Sequence, residues 1–64
     1  MSTTQRDYPF NAFLEPGQIV MHPEHDEWGK GQVQSVIGAR VTVNFADVGK
    51  VLIDASRVTL TVIG

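Results

Sequence analysis

The stretch Pro16–Gly31, reading PGQIVMHPEHDEWGKG, most constrains what this chain can become. Pro16-Gly17 is a turn signal, because proline presets φ and glycine accepts φ > 0, so a new element starts at Gln18. Ile19-Val20-Met21-His22 reads as a short apolar strand. Pro23 removes a ladder donor and disfavours helix at His22, which stops the strand there and leaves Glu24 to Glu27 in a loop. Trp28 then precedes Gly29-Lys30-Gly31, where two closely spaced glycines imply a kinked backbone or a bulge.

Everything beyond this stretch has β character. Val33, Val36 and Ile37 lead to Gly38-Ala39, and Arg40–Phe45 then alternates, so the two runs form a hairpin with Gly38 opening a tight II′-type turn. The alternation sends Val41, Val43 and Phe45 to the core and Arg40, Thr42 and Asn44 to the other face. Val33 and Ile37 share a phase that Val36 breaks, so this strand is either bulged or covered on both faces near its turn. Ala46-Asp47-Val48-Gly49 is a turn, Lys50–Ile53 a fourth strand, and Asp54-Ala55-Ser56 a 3₁₀ connector. Arg57–Val62 alternates as a final strand with Val58, Leu60 and Val62 inward.

Ahead of the first turn, Met1–Asp7 is polar and aperiodic. Tyr8, Phe10 and Phe13 are too many aromatics for a purely solvated arm and are expected to cover one open end of the core. Pro9 and Pro16 hold any helix over Phe10–Glu15 to a single turn. The chain therefore divides into a flexible leader, residues 1–14, and a folded domain, residues 15–64. Five short strands with tight turns specify an all-β, strongly bent SH3-like barrel. An open four-stranded meander is the rival, and in so small a protein it would leave one apolar face and two edges exposed.

Composition narrows the function. A chain of 64 residues holds one thin core and no cleft between two lobes. It has no cysteine, which rules out disulfides and thiolate zinc sites as supports. With 42% hydrophobic and 19% charged residues it lies in the globular class. No apolar run approaches the roughly 18 residues of a membrane span, and the start MSTTQRD lacks a signal peptide's apolar region, so a cytoplasmic protein is expected. A net charge of −2, with five scattered basic residues, argues against a protein whose main task is gripping phosphate backbones.

The residues PGxxVxHPxHxxWGxGxVxSVxGxRVTVNFxxxGKxxI, from Pro16 to Ile53, closely resemble a short stand-alone domain family of unknown function from alphaproteobacteria, over Glu15 to Ile63. More distantly, the pattern is similar to the Tudor-like C-terminal domain of UvrD-type helicases, with its V-x-H-P strand, glycine-bounded aromatic loop and V-x-F strand. CarD-type RNA polymerase-binding modules look similar too. The resemblance implies an SH3-like barrel docking on RNA polymerase and linking it to transcription or DNA repair. Trp28 stands where the helicase pattern has phenylalanine, and the loop from Pro23 to Gly29 is longer.

Trp28 leads the candidate site residues: a loop indole offers large apolar area with one donor, as interface anchors do. It either stays partly exposed as such an anchor or folds back over the end of the core. Lys30 and Lys50 follow turns, and if those turns meet at one rim they form a small basic patch beside Trp28, with His25 and Glu27 flanking it. His22, Glu24, His25, Asp26 and Glu27 invite a metal reading, but Pro23 makes the segment a loop and fixes no third ligand, so no metal and no cofactor are expected. His22 is expected to hold a backbone carbonyl of the loop. Ser35 and Ser56 lie in no nucleophile motif, so catalysis is not expected, and an aromatic methyl-lysine cage fails on the number of rings. These readings converge on a non-enzymatic module that binds a protein partner, with a nucleic-acid-binding β-barrel as the alternative.

Overall fold

The alternating run Arg40–Phe45 becomes a strand flanked on both sides. In the computed structural model, which describes residues 14–64, the strands are β1 (Ile19–Met21), β2 (Gly31–Ile37), β3 (Arg40–Phe45), β4 (Gly49–Asp54) and β5 (Thr61–Val62). They form one sheet in the order β4-β3-β2-β1-β5, with every neighbouring pair antiparallel. β4 and β5 are its two edges and are not hydrogen-bonded to each other, so the sheet is open and lacks the closure of a barrel. The open meander weighed as its rival had one strand fewer. No helix among the described residues is long and apolar enough to cross a membrane.

The core sits on one face. Val41, Val43 and Phe45 are buried, and Arg40 and Asn44 are exposed, as their alternation requires. Val20, Val33 and Ile53 join them from the other strands, and Leu14, Ala55 and Leu60 from the connecting segments. Among the described residues no second sheet or helix layer covers this face, and Val20, Val41 and Val43 are nonetheless at 0% exposure. The segments carrying Leu14, Ala55 and Leu60 contribute those side chains to the same buried cluster. Leu14 thus belongs to the core, although the sequence reading placed it with the leader. The aromatics Tyr8, Phe10 and Phe13 and the helical turn proposed from Phe10 lie outside the described residues.

The irregular phase of β2 is a bulge. Val33 pairs with Val43, but the next pair is Ser35 with Thr42, leaving Gln34 as the extra residue. That insertion lets both Val33 and Val36 pack on the core and turns Ile37 outward, 72% exposed. Ile37 and Arg40 then close a two-residue turn in which Gly38 has φ of 60°.

Two expected elements differ. Asp54–Ser56 is not 3₁₀: the Asp54 carboxylate accepts both the backbone N–H and the hydroxyl of Ser56, while its carbonyl accepts the N–H groups of Arg57 and Val58. The i+3 bond from Arg57 is not followed by a second one from Val58, whose N–H returns to the same Asp54 carbonyl, so the segment stays a single hydrogen-bonded turn. The last strand is also shorter than Arg57–Val62, because three-residue β1 offers β5 only the pairs Val20–Val62 and Met21–Thr61. Leu60 is buried as expected and Val58 half-buried, but Val62, expected inward, is 49% exposed, since among the described residues no strand lies beyond β5 to cover it.

Gly31 and Phe45 are register partners. A Cβ on Gly31 would lie 2.7 and 2.8 Å from two carbons of the Phe45 ring and would also strike Val43. Phe45→Ala is expected to lower stability by about 3 to 5 kcal/mol and Gly31→Ala by about 1 to 3 kcal/mol, one emptying and the other overfilling the same space. Urea denaturation checks both, and a Gly31→Ala chain as stable as the parent would show that the ring does not rest on that glycine.

Candidate interaction site

Pro23 and the two glycines shape the loop between β1 and β2. After His22 the chain turns, and Asp26–Trp28 forms a single 3₁₀ turn within the segment expected to be irregular. The Trp28 N–H donates to the His25 carbonyl and the Gly29 N–H to the Asp26 carbonyl, each at 3.0 Å. Gly29 ends the turn at φ of 79°, a conformation that favours glycine. A side chain there would also meet the Asp47 carboxylate at 2.8 Å and the Ala46 methyl at 3.3 Å. That proximity arises because the loop is bonded to the β3–β4 turn: Asp47 N–H donates to the Trp28 carbonyl (3.0 Å) and Ala46 N–H to the Lys30 carbonyl (2.9 Å).

Four rings gather on this frame. His25 stacks on Trp28 with centroids 4.2 Å apart and planes 4° from parallel. His22 meets both edge-on, at 4.7 and 4.9 Å. Trp28 in turn meets Phe45 edge-on at 5.3 Å, which joins the loop to the core. The indole therefore folds back onto the core while remaining half-buried.

His22 is buried, 6% exposed, and its Nδ1 accepts the N–H of Glu24 at 3.0 Å. The expected bond to a carbonyl is thus reversed in sense, because the turn at Pro23 brings an amide rather than a carbonyl back to the ring. An accepting Nδ1 places the proton of the neutral ring on Nε2. His25 Nδ1 donates to the Glu27 carboxylate at 2.9 Å. That bond, with the Glu27 backbone N–H and the nearby imidazoles, holds the Glu27 carboxyl below its ordinary value of 4.5. Among the described residues no three His, Cys, Asp or Glu side chains converge where a metal ion could sit.

The structure brings His25, Glu27 and Trp28 together. The turns preceding Lys30 and Lys50 do meet, through the Ala46 and Asp47 amides. Lys30 is exposed and borders an open groove with Gln32, Asn44, Gly49, Ile19 and Ile63. Lys50 pairs with outward-facing Asn44, which pairs in turn with Gln32, so strand alternation puts it on the outward face that Lys30 borders, opposite the face on which Phe45 packs. Asp47, Ala46 and Phe45 were missed as parts of the site. Gly31, a glycine in phase with core positions, was the signal that a large ring from β3 must lie over it.

Residues 14–63 match the family described as Protein of unknown function (DUF3553), and the chain belongs to that family. No curated protein and no solved structure matches the chain.

The lowered Glu27 carboxyl gives the His25–Glu27 contact a definite pH dependence. The contact stabilises the folded chain above the unfolded value of 4.5 and is lost as acid protonates Glu27 through its lower folded value. Glu27→Gln is therefore expected to melt slightly below the parent at neutral pH, the difference vanishing in acid. A gap that persists unchanged at low pH in thermal melts would assign the effect to something other than this carboxylate.

Proposed function

We propose that this domain is a non-enzymatic interaction module whose curled sheet acts as an SH3-like barrel and presents the rim of His25, Glu27, Trp28 and Lys30 to a protein partner. The observation that carries this reading is the bonding of that rim to the β3–β4 turn. Two backbone hydrogen bonds and the Trp28–Phe45 contact hold a half-buried indole in place before any partner arrives. A surface ordered in advance loses little conformational entropy on binding, and aromatic groups so held are favoured as anchors. Lys50, on the outward face that Lys30 borders, flanks this rim as a further contact. The V-x-H-P, W-G-x-G and V-x-F pattern similar to polymerase-docking modules supports RNA polymerase as the first partner to test, and through it transcription or repair.

The stacked His25–Trp28 pair favours one second reading, single-stranded nucleic acid, since a base can stack on an exposed ring. The charge of −2 weighs against it. Binding of the purified chain to bacterial RNA polymerase and to nucleic acid across a salt series separates the two. A nucleic-acid binder loses affinity on single strands with a slope of about −0.7 per phosphate contacted, whereas a protein interface held by the indole varies little.

Trp28→Ala uncovers Phe45 and confounds folding with binding, so Trp28→Phe and Lys30→Glu are the cleaner variants. Trp28→Phe is expected to weaken polymerase binding with little change in melting temperature. Lys30→Glu is expected to weaken it more at low than at high salt. If both variants bind as the parent does, the partner surface lies elsewhere.

A further inference from the structure

β4 is a sheet edge six residues long, yet nothing among the described residues pairs with its outer side. Its hydrogen-bonding phase is set by two bonds. Ala55 N–H donates to the Ala39 carbonyl and Ala46 N–H to the Lys30 carbonyl, so odd-numbered residues of β3 address β4 and even-numbered ones address β2. On β4, Gly49, Val51 and Ile53 answer β3. Lys50, Leu52 and Asp54 consequently point their N–H and C=O groups off the sheet, a template for another strand. The side chain at the middle of this edge is an exposed leucine: Leu52 is 64% exposed, with oppositely charged Lys50 and Asp54 two residues to either side.

We propose that β4 is a self-complementary edge through which two copies of this chain pair antiparallel, about a two-fold axis at Leu52, merging their sheets into one. In that register Leu52 lies against Leu52 of the second copy, and each Lys50 lies opposite an Asp54. On the core side each Val51 lies opposite an Ile53, extending one apolar face across the junction. Oppositely charged and apolar cross-strand pairs are both favourable, and a two-fold interface requires this self-complementarity. Register is selected by charge: an axis at Lys50 or at Asp54 opposes like charges, and an axis at Val51 or Ile53 leaves both charges without an opposite partner. Asp54 already faces Arg40 across the ladder and Arg57 at 3.8 Å, so its carboxylate lies in a basic surround that Lys50 of the second copy completes. The Asp54 carbonyl also accepts Arg57 and Val58 N–H groups, so the outermost intermolecular bonds share that acceptor, while those at Leu52 are unshared.

Sedimentation velocity of the full chain over a concentration series tests the proposal. The parent is expected to shift from monomer to dimer, and Leu52→Lys, which sets two ammonium groups against each other at the axis, to remain monomeric. Because the chain has no cysteine, introduced thiols report the register. Leu52→Cys is expected to form a disulfide-linked dimer in oxidising buffer. Lys50→Cys is not, since its two copies lie roughly 14 Å apart in this register, beyond disulfide reach. If Leu52→Lys loses its fold, shown by circular dichroism, the cysteine pair decides. A parent that is monomeric at every concentration overturns the proposal, as does a folded Leu52→Lys chain that still dimerises like the parent. Equal cross-linking at both positions overturns it too.

Discussion

The contact between Phe45 and Gly31 is the one on which the rest of the structure depends. Phe45 is the largest of the fully buried side chains, and it is accommodated because its partner across the ladder has no side chain. Deleting that Cβ lets the ring lie on the sheet itself, so one phenylalanine fills space that a longer protein would fill from a second layer. The same ring presents its edge to Trp28, and through Trp28 to His25 and His22. Core and candidate site are therefore one packing unit, and a change in Phe45 reaches both.

The loop's rigidity has a second origin. A nine-residue connection from His22 to Lys30 would ordinarily be mobile, having few contacts of its own. Here it is tied at both ends of its 3₁₀ turn: His22 anchors Glu24 near the start, and the β3–β4 turn anchors Trp28 and Lys30 at the close. Gly29 permits the second anchoring, because any side chain there would push Asp47 away. Rigidity thus comes from backbone hydrogen bonds between two turns, with the rings packed around them.

The strands were legible where alternation is strict and a partner lies on each side. Val41, Val43 and Phe45 could be assigned inward from sequence because β3 is flanked by β2 and β4, so the period-two rule is enforced on both flanks. The same rule misplaced Val62, whose alternation is equally regular, because β5 is an edge and no neighbour completes its cover. Closure into a barrel was not legible either. Whether two edges meet depends on accumulated twist and strand length, and a three-residue β1 with a two-residue β5 carries too little pattern to read it. In the site, Trp28 stood out as a lone aromatic between turns. Its partners did not, because Asp47 reaches it, and Ala46 reaches neighbouring Lys30, through backbone amides, which no side-chain motif records, and because the sense of the His22 bond depends on which group of the turn faces the ring.

Where the two surfaces lie determines how they would work together. The rim of Trp28 and Lys30 joins the sheet beside the Gly49 end of β4, while the axis of the proposed pairing passes through Leu52, nearer the middle. In an antiparallel pair the Gly49 ends point in opposite directions, separated by about 20 Å along the strands. Pairing at β4 therefore leaves both rims uncovered and fixes the distance between them. Two modest contacts held at such a fixed separation bind a repeated or two-fold partner far more tightly than either alone, because the second contact forms at high effective concentration. A 64-residue domain with one thin core offers little contact area by itself, and doubling it through a sheet edge adds area while ordering no new segment of chain.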